Sequence, residues 1–503
     1  MVAITDDEWA DFVAHELPNV SDPVIQKYLE SRRALIAEQQ KRRSVHLKEL
    51  LTTGQTIPSA RALKSWRIIR RMPKGALLRT HCCSLADIDH LIETALEIPG
   101  VSISCPTSHL ATVAARKETG LCIRFRGMED PDDCSLWAHD YTPGTFMSLT
   151  KAAGSYPEGG RQGFVEWLKG RCRMSGPSSG DSDLTGLMLF YEPIWRAFLQ
   201  RLMTNLVEEG IAWLELRLTF PLVYYREGSE VPEPDYDHMF QTVGEEVARF
   251  QATDPGRRFW GLRVIWSTMR NQDPRLIIES ADDCIATKLV WPHLVAGYDL
   301  ADSEDLGRPL ADLLPELFWF RKQCAVEKVQ IPFFLRAGGC RGNYDTHATG
   351  EGDIVDALLL GARRIGHATS LHRHPRLVEA VRDRRILVEV RPVSEKGRDP
   401  SADVAMHHGL RALLAQGVPC ALCDDDSGIL PRLNRNVGSR MTDIFWQVLH
   451  AWEESDLATL GSLAENSVRW AAFEDQDLQI WYADENKLVQ GQKISGQQAW
   501  GRG

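Results

Sequence analysis

Eight short apolar runs rich in β-formers punctuate the chain, at 76–83, 211–220, 259–267, 292–298, 329–337, 362–368, 385–393 and 418–424. Between most of them fall helical patterns, such as 84–97, 308–325, 352–362, 375–384 and 408–416. Eight buried strands that mostly alternate with helices predict an α/β chain closed into a (β/α)8 TIM barrel. A doubly wound open sheet is the alternative, but it would carry a glycine-rich turn after its first strand. No such turn is present. The length of 503 residues does not force a second domain, because barrels with insertions run from roughly 200 to over 400 residues as one unit.

Three segments fall outside the alternation. Residues 1–60 read as an N-terminal helical extension ("VIQKYLESRRALIAEQQKRRSVHLKEL"), its charge run being a solvated helix face. The barrel is assigned to 61–475, with an insertion at about 100–188 after the first strand and helix; "RMSGPSSGDSD" predicts a mobile loop at 173–184. Residues 476–503 form a tail. The apolar positions of "VIQKYLESRRALI" recur at helical spacing and call for a partner surface, which leaves room for a homodimer.

Composition narrows the ligand. A net charge of −11 shows no basic excess for nucleic acid, so a small molecule is the expected partner. The start "MVAITDDEWADFVAHELPNV" has acids where a secretory signal needs a basic start and an apolar run, and no segment has about 18 uninterrupted apolar residues. A cytoplasmic protein with no membrane contact is expected. Eleven cysteines without framework spacing then read mostly as thiols.

In a barrel, side chains at the C-terminal strand ends converge on one mouth. The polar residues there are Arg79 and His81, Glu215 and Arg217, Asp299 just past the fourth strand, Arg336, His367, Arg391, and Asp424, Asp425 and Asp426. Alternation along "MPKGALLRTHCCSL" turns Arg79 and His81 to the same side. Some of these charges can be mutually satisfied ion pairs, but a ring at consecutive strand ends points to a site.

Seven blocks carry a family resemblance: "MPKGALLRTHCC", "EEGIAWLELRLTF", "GYDLADSEDLGRPL", "FFLRAGG", "LLLGARRIGHATSLHRHP", "ILVEVRPVS" and "VPCALCDDDSGIL". Together they resemble the successive strand ends of the adenosine deaminase family, in particular its growth-factor-related subfamily in the intracellular form common in fungi. The resemblance runs from about residue 22 to about 474 and implies the metal-dependent amidohydrolase type of barrel. It also implies a zinc-activated water, a carboxylic acid that protonates the purine, and a histidine and an aspartate that position the nucleophile.

Two of the implied blocks are altered. Where the resemblance implies a zinc-binding His-x-His pair, the chain has Arg79-Thr80-His81, and where it implies His-Ala-Gly-Glu, the chain has Arg336-Ala337-Gly338-Gly339. Gly366-His367 and Asp425-Asp426 match. A guanidinium is always protonated and has no lone pair for a dication, so no metal and no cofactor are expected. Two arginines would instead restore the positive charge that the ion supplies beside Asp425 and Asp426. A softer metal site built from His81, Cys83, Asp425 and a further cysteine, Cys340 or Cys423, is the rival. The candidate catalytic residues are His367, Asp425 and Asp426; Arg79, His81, Glu215, Arg336 and Arg391 are the candidate substrate contacts.

Whether such a chain is an enzyme stays open at this point. One outcome is a repurposed, metal-independent enzyme of specialised metabolism acting on a polar or anionic small molecule. The others are a non-catalytic pseudoenzyme that binds a nucleoside-like ligand or a protein partner, and a residual purine deaminase with a rebuilt metal site.

Overall fold

The computed structural model describes residues 23, 25–27, 29–31, 64–125, 135–174, 184–301, 307–338, 350–368, 370–391, 409–424, 440–451 and 455–473. The first barrel strand, β1 (Gly75–His81), opens on a glycine at φ +75°. A Cβ there would fall 2.5 Å from the Ala464 carbonyl oxygen, so both the turn and the close approach need glycine.

Three short strands follow, β2 (Val101–Ser104), β3 (Cys122–Phe125) and β4 (Met147–Ser148). They pair antiparallel in the order β3-β2-β4 inside the expected insertion. The remaining strands are β5 (Ile211–Phe220), β6 (Gly261–Met269), β7 (Val295–Ala301), β8 (Phe334–Ala337), β9 (Arg364–His367), β10 (Leu387–Val390) and β11 (Cys420–Leu422).

The eight apolar runs of the sequence are β1 and β5–β11. Parallel pairing joins β1-β5-β6-β7 and β8-β9-β10-β11, and a parallel bridge between Tyr298 and Phe333 links the two halves. On the other side the helix Leu457–Arg469 spans the seam between β11 and β1: Asn466 Nδ2 donates to the Cys420 carbonyl at 3.0 Å, and Ser467 Oγ accepts from the Ala76 N–H at 2.8 Å. Ala76 and Leu78 of β1 pack with Leu387 of β10, Ala421 of β11 and Trp213 of β5 in one inner cluster. This is a (β/α)8 barrel, with one core continuous from the helices to the insertion.

Two strands are displaced toward the C-terminus from their sequence-based bounds, β6 by two residues and β7 by three. Pro292 and a turn that caps the preceding helix, with the Leu294 N–H on the Trp291 carbonyl, delay β7 to Val295. Asp299 therefore lies within the strand instead of beyond it. Of the loop expected at 173–184, residues 173 and 174 end the helix Gly160–Met174 and 175–183 lie outside the described residues. Most of the N-terminal extension, residues 339–349, Asp425, Asp426 and the tail also lie outside them. Among the described residues no helix is long and apolar enough to cross a membrane.

Candidate functional site

The mouth is built on β1 and β9. Arg79 is almost wholly buried, and its Nη2 lies 3.3 Å from His367 Nε2. Arginine can only donate, so this contact turns the lone pair of His367 Nε2 toward Arg79. The guanidinium lies on the backbone of Gly366, where a Cβ would come within 2.6 Å of Arg79 Cζ. His367 and Ala368 follow at φ +69° and +42°, two left-handed residues without glycine's freedom. Such conformations cost about 1–3 kcal/mol each and persist where the surroundings impose them. Here the Ala368 N–H is held by the Ala337 carbonyl at 3.0 Å, which ties the end of β9 to that of β8.

Asp299 is a buried carboxylate under the influence of several cations. Burial alone would raise its pKa, but Arg217 first, and then Arg79, Arg336 and His81, outweigh burial and hold the group below its ordinary range. The pairing of β1 with β5 shifts register between Leu77 and Thr80, the stretch that holds Arg79, so alternation counted along β1 does not carry through it. Arg217 Nε meets Asp299 Oδ2 at 2.8 Å.

Below the mouth the charges continue as a column. Arg217 Nη2 reaches Glu389 at 3.1 Å, Glu389 accepts from Arg364 Nε at 2.7 Å, and Arg364 Nη2 pairs with Glu215. Glu215 also accepts from Trp213 Nε1 at 3.2 Å and from the Ala472 N–H at 2.6 Å. Burial pushes the Glu215 carboxyl up, but Arg364 and these donors bring it below its ordinary value. The sequence placed Glu215 among the substrate contacts at the mouth. The geometry puts it a layer beneath, fully buried and engaged by Arg364 and by the segment that follows the last helix. Alternation gave its inward direction but not its depth.

The other expected residues are distributed as follows. Arg336 is half-buried on β8, and Arg391 is buried one residue beyond β10. Asp424 is bound by Arg440 Nη2 at 2.9 Å. Cys423 is buried and Cys83 half-buried; Cys340 lies outside the described residues with Asp425 and Asp426. Among the described residues no three His, Cys, Asp or Glu side chains come together in a set that could hold a metal ion.

Sequence reasoning missed Arg270, Asp353, Arg364 and Glu389. Arg364 and Glu389 stand inside runs read as apolar strands, and a buried charge in such a run was the available signal.

Eight parallel strands with charged residues at their C-terminal ends make an enzyme-type (β/α)8 barrel scaffold. A similar fold is found in an amidohydrolase of Burkholderia ambifaria solved with bound zinc, with a TM-score of 0.51 at 16% identity, covering 87% of this chain and 94% of that one. The model of the adenosine deaminase family matches residues 201–481, and the chain belongs to that family. Human adenosine deaminase 2 is 27% identical over 451 residues, covering 84% of this chain and 80% of that protein. Adenosine deaminase of the sand fly Lutzomyia longipalpis is 24% identical over 446 residues, covering 85% and 80%.

Proposed function

We propose that this member of the adenosine deaminase family works without zinc, and that its mouth binds an anionic or polar small molecule. The observation that carries the reading is the placement of Arg79: its guanidinium is buried on Gly366 against His367, and its charge, with those of Arg217, Arg336 and His81, holds the Asp299 carboxyl below its ordinary range. A zinc ion needs lone pairs from deprotonated donors, and a guanidinium supplies none while repelling the dication. The described donors at the mouth do not fit the metal that the family implies. The same guanidiniums fit a phosphate or carboxylate, which they can bind through paired N–H donors.

In this reading Arg79, Arg336 and Arg391 grip the anionic group and His81 contacts the ligand. His367 serves as the acid or base, with Asp425 and Asp426 as its partners by sequence. Ordinary deamination of adenosine is absent, because Gly339 stands where the family's proton-donating glutamate is expected.

Elemental analysis of the purified full-length protein, with deamination assays on adenosine and 2'-deoxyadenosine, tests the metal claim. No stoichiometric zinc and no deamination above background are expected. About one tightly held zinc per chain, with activity lost to a chelator, would refute the proposal and favour a rebuilt metal site. Ligand binding without turnover of any bound compound would favour a pseudoenzyme.

A further inference from the structure

Arg270 stands one residue past the end of β6, and none of it reaches solvent. Its Nη1 meets Asp353 Oδ2 at 3.0 Å, and its Nη2 donates to the carbonyl oxygen of Arg336 at 3.0 Å. Asp353 Oδ1 accepts from the Leu310 N–H at 3.0 Å. One guanidinium thus joins three separate parts of the rim: the end of β8, the first turn of the helix Gly350–Leu359, and the turn Leu310–Leu313.

A buried ion pair is a poor device for stability alone, since apolar side chains of similar volume often do as well. What it adds is direction. The planar fork of arginine fixes the orientation of two acceptors at once, which a compact ammonium cannot do. One of these acceptors is the backbone of Arg336. Two residues later the chain leaves β8 at Gly338, with φ +81°, where a Cβ would lie 2.7 Å from Ile354 Cγ1. The end of β8 is therefore held on one side by Arg270 and packed on the other against the helix that Asp353 anchors.

We infer that Arg270 is a positioning residue for Arg336. By fixing the carbonyl of residue 336 it sets the direction in which that side chain enters the mouth, and Asp353 holds Arg270 in place. This rests on the proposed reading that Arg336 binds the anion.

The test is a double-mutant cycle on the full-length protein, with R270K, R336A and the combination, and inorganic phosphate as the calorimetric probe. R270K is expected to weaken phosphate binding about tenfold, and to have no further effect once Arg336 is alanine. Equal weakening by R270K in both backgrounds overturns the inference and leaves the anion reading intact. If R336A leaves phosphate affinity unchanged, or phosphate does not bind, the anion reading fails instead. Amide hydrogen exchange then decides the positioning role: loss of protection in R270K confined to 334–338 and 350–359 supports it, and a global or absent change overturns it. Where R270K cannot be purified folded, Asp353→Asn perturbs the same anchor more gently and carries the same cycle.

Discussion

Gly366→Ala probes the mouth most directly, because its backbone effect and its contact effect have opposite signs. The φ of Gly366 is not positive, so alanine fits the backbone and by restricting the unfolded chain should stabilise by about 0.4–1 kcal/mol. The added Cβ, however, would fall on the Arg79 guanidinium, 2.6 Å from Cζ and 3.3 Å from Nε. A surface arginine would swing aside at little cost, but Arg79 is 1% exposed and is held by His367. Overpacking of this kind costs about 1–3 kcal/mol. Loss of the 3.3 Å contact with His367 adds about 1.5–3 kcal/mol for a hydrogen bond from a charged group. The net expectation is destabilisation of about 3 kcal/mol, read by urea unfolding monitored through tryptophan fluorescence. In an Arg79→Ala background the new methyl group enters vacated space, and the penalty should vanish, a coupling of about 3 kcal/mol. A neutral or stabilising Gly366→Ala, or an equal cost in both backgrounds, would show that the guanidinium does not rest on residue 366.

Two further perturbations address the interior. Glu215→Leu should destabilise by about 3–5 kcal/mol in the same unfolding assay, because it leaves Arg364 buried with half of its counter-charge gone; a neutral result would show that the pair contributes nothing net. Lys74 is buried at the entry to β1 with its Nζ on the carbonyls of Ile69, Met72 and Glu209, and burial lowers its pKa to about 8. The unfolded chain holds that proton more tightly, so the penalty is fully present below about pH 8 and is relieved as pH rises toward the ordinary lysine value. Relative to Lys74→Met, the wild type should therefore gain up to roughly 3 kcal/mol between about pH 8 and 10.5. A difference that stays flat with pH would contradict this.

The strands were legible because fully buried parallel strands read as continuous apolar runs, and all eight overlapped the runs read from the sequence, with β6 shifted by two residues and β7 by three at the turn after Pro292. The burial of Arg79 against His367 was not legible in the same way, because the pairing of β1 with β5 shifts register between Leu77 and Thr80 and alternation counted through that stretch does not fix the side Arg79 faces. Alternation says nothing about height within the barrel, which is why Glu215 was placed a layer too high. Arg270 gave no local signal at all: it lies one residue beyond its strand, and its partner Asp353 is 83 residues away in the chain. The small sheet of the insertion escaped notice because its strands are only four, four and two residues long, below the length at which a periodic pattern can be recognised.

The column of charges inside the barrel also bears on how the chain can assemble. Glu215 lies in the first four-stranded half, yet its partner Arg364 is 149 residues later and its backbone donor at Ala472 is 257 residues later. Until those parts of the chain arrive, a half-barrel of β1 and β5–β7 would have to enclose a carboxylate with neither its main cation nor its amide. On a ribosome the early strands would have to keep that interior wet, because drying it before residue 472 emerges would trap an uncompensated charge. Charge balance inside the first half of the barrel thus depends on residues near the end of the described chain.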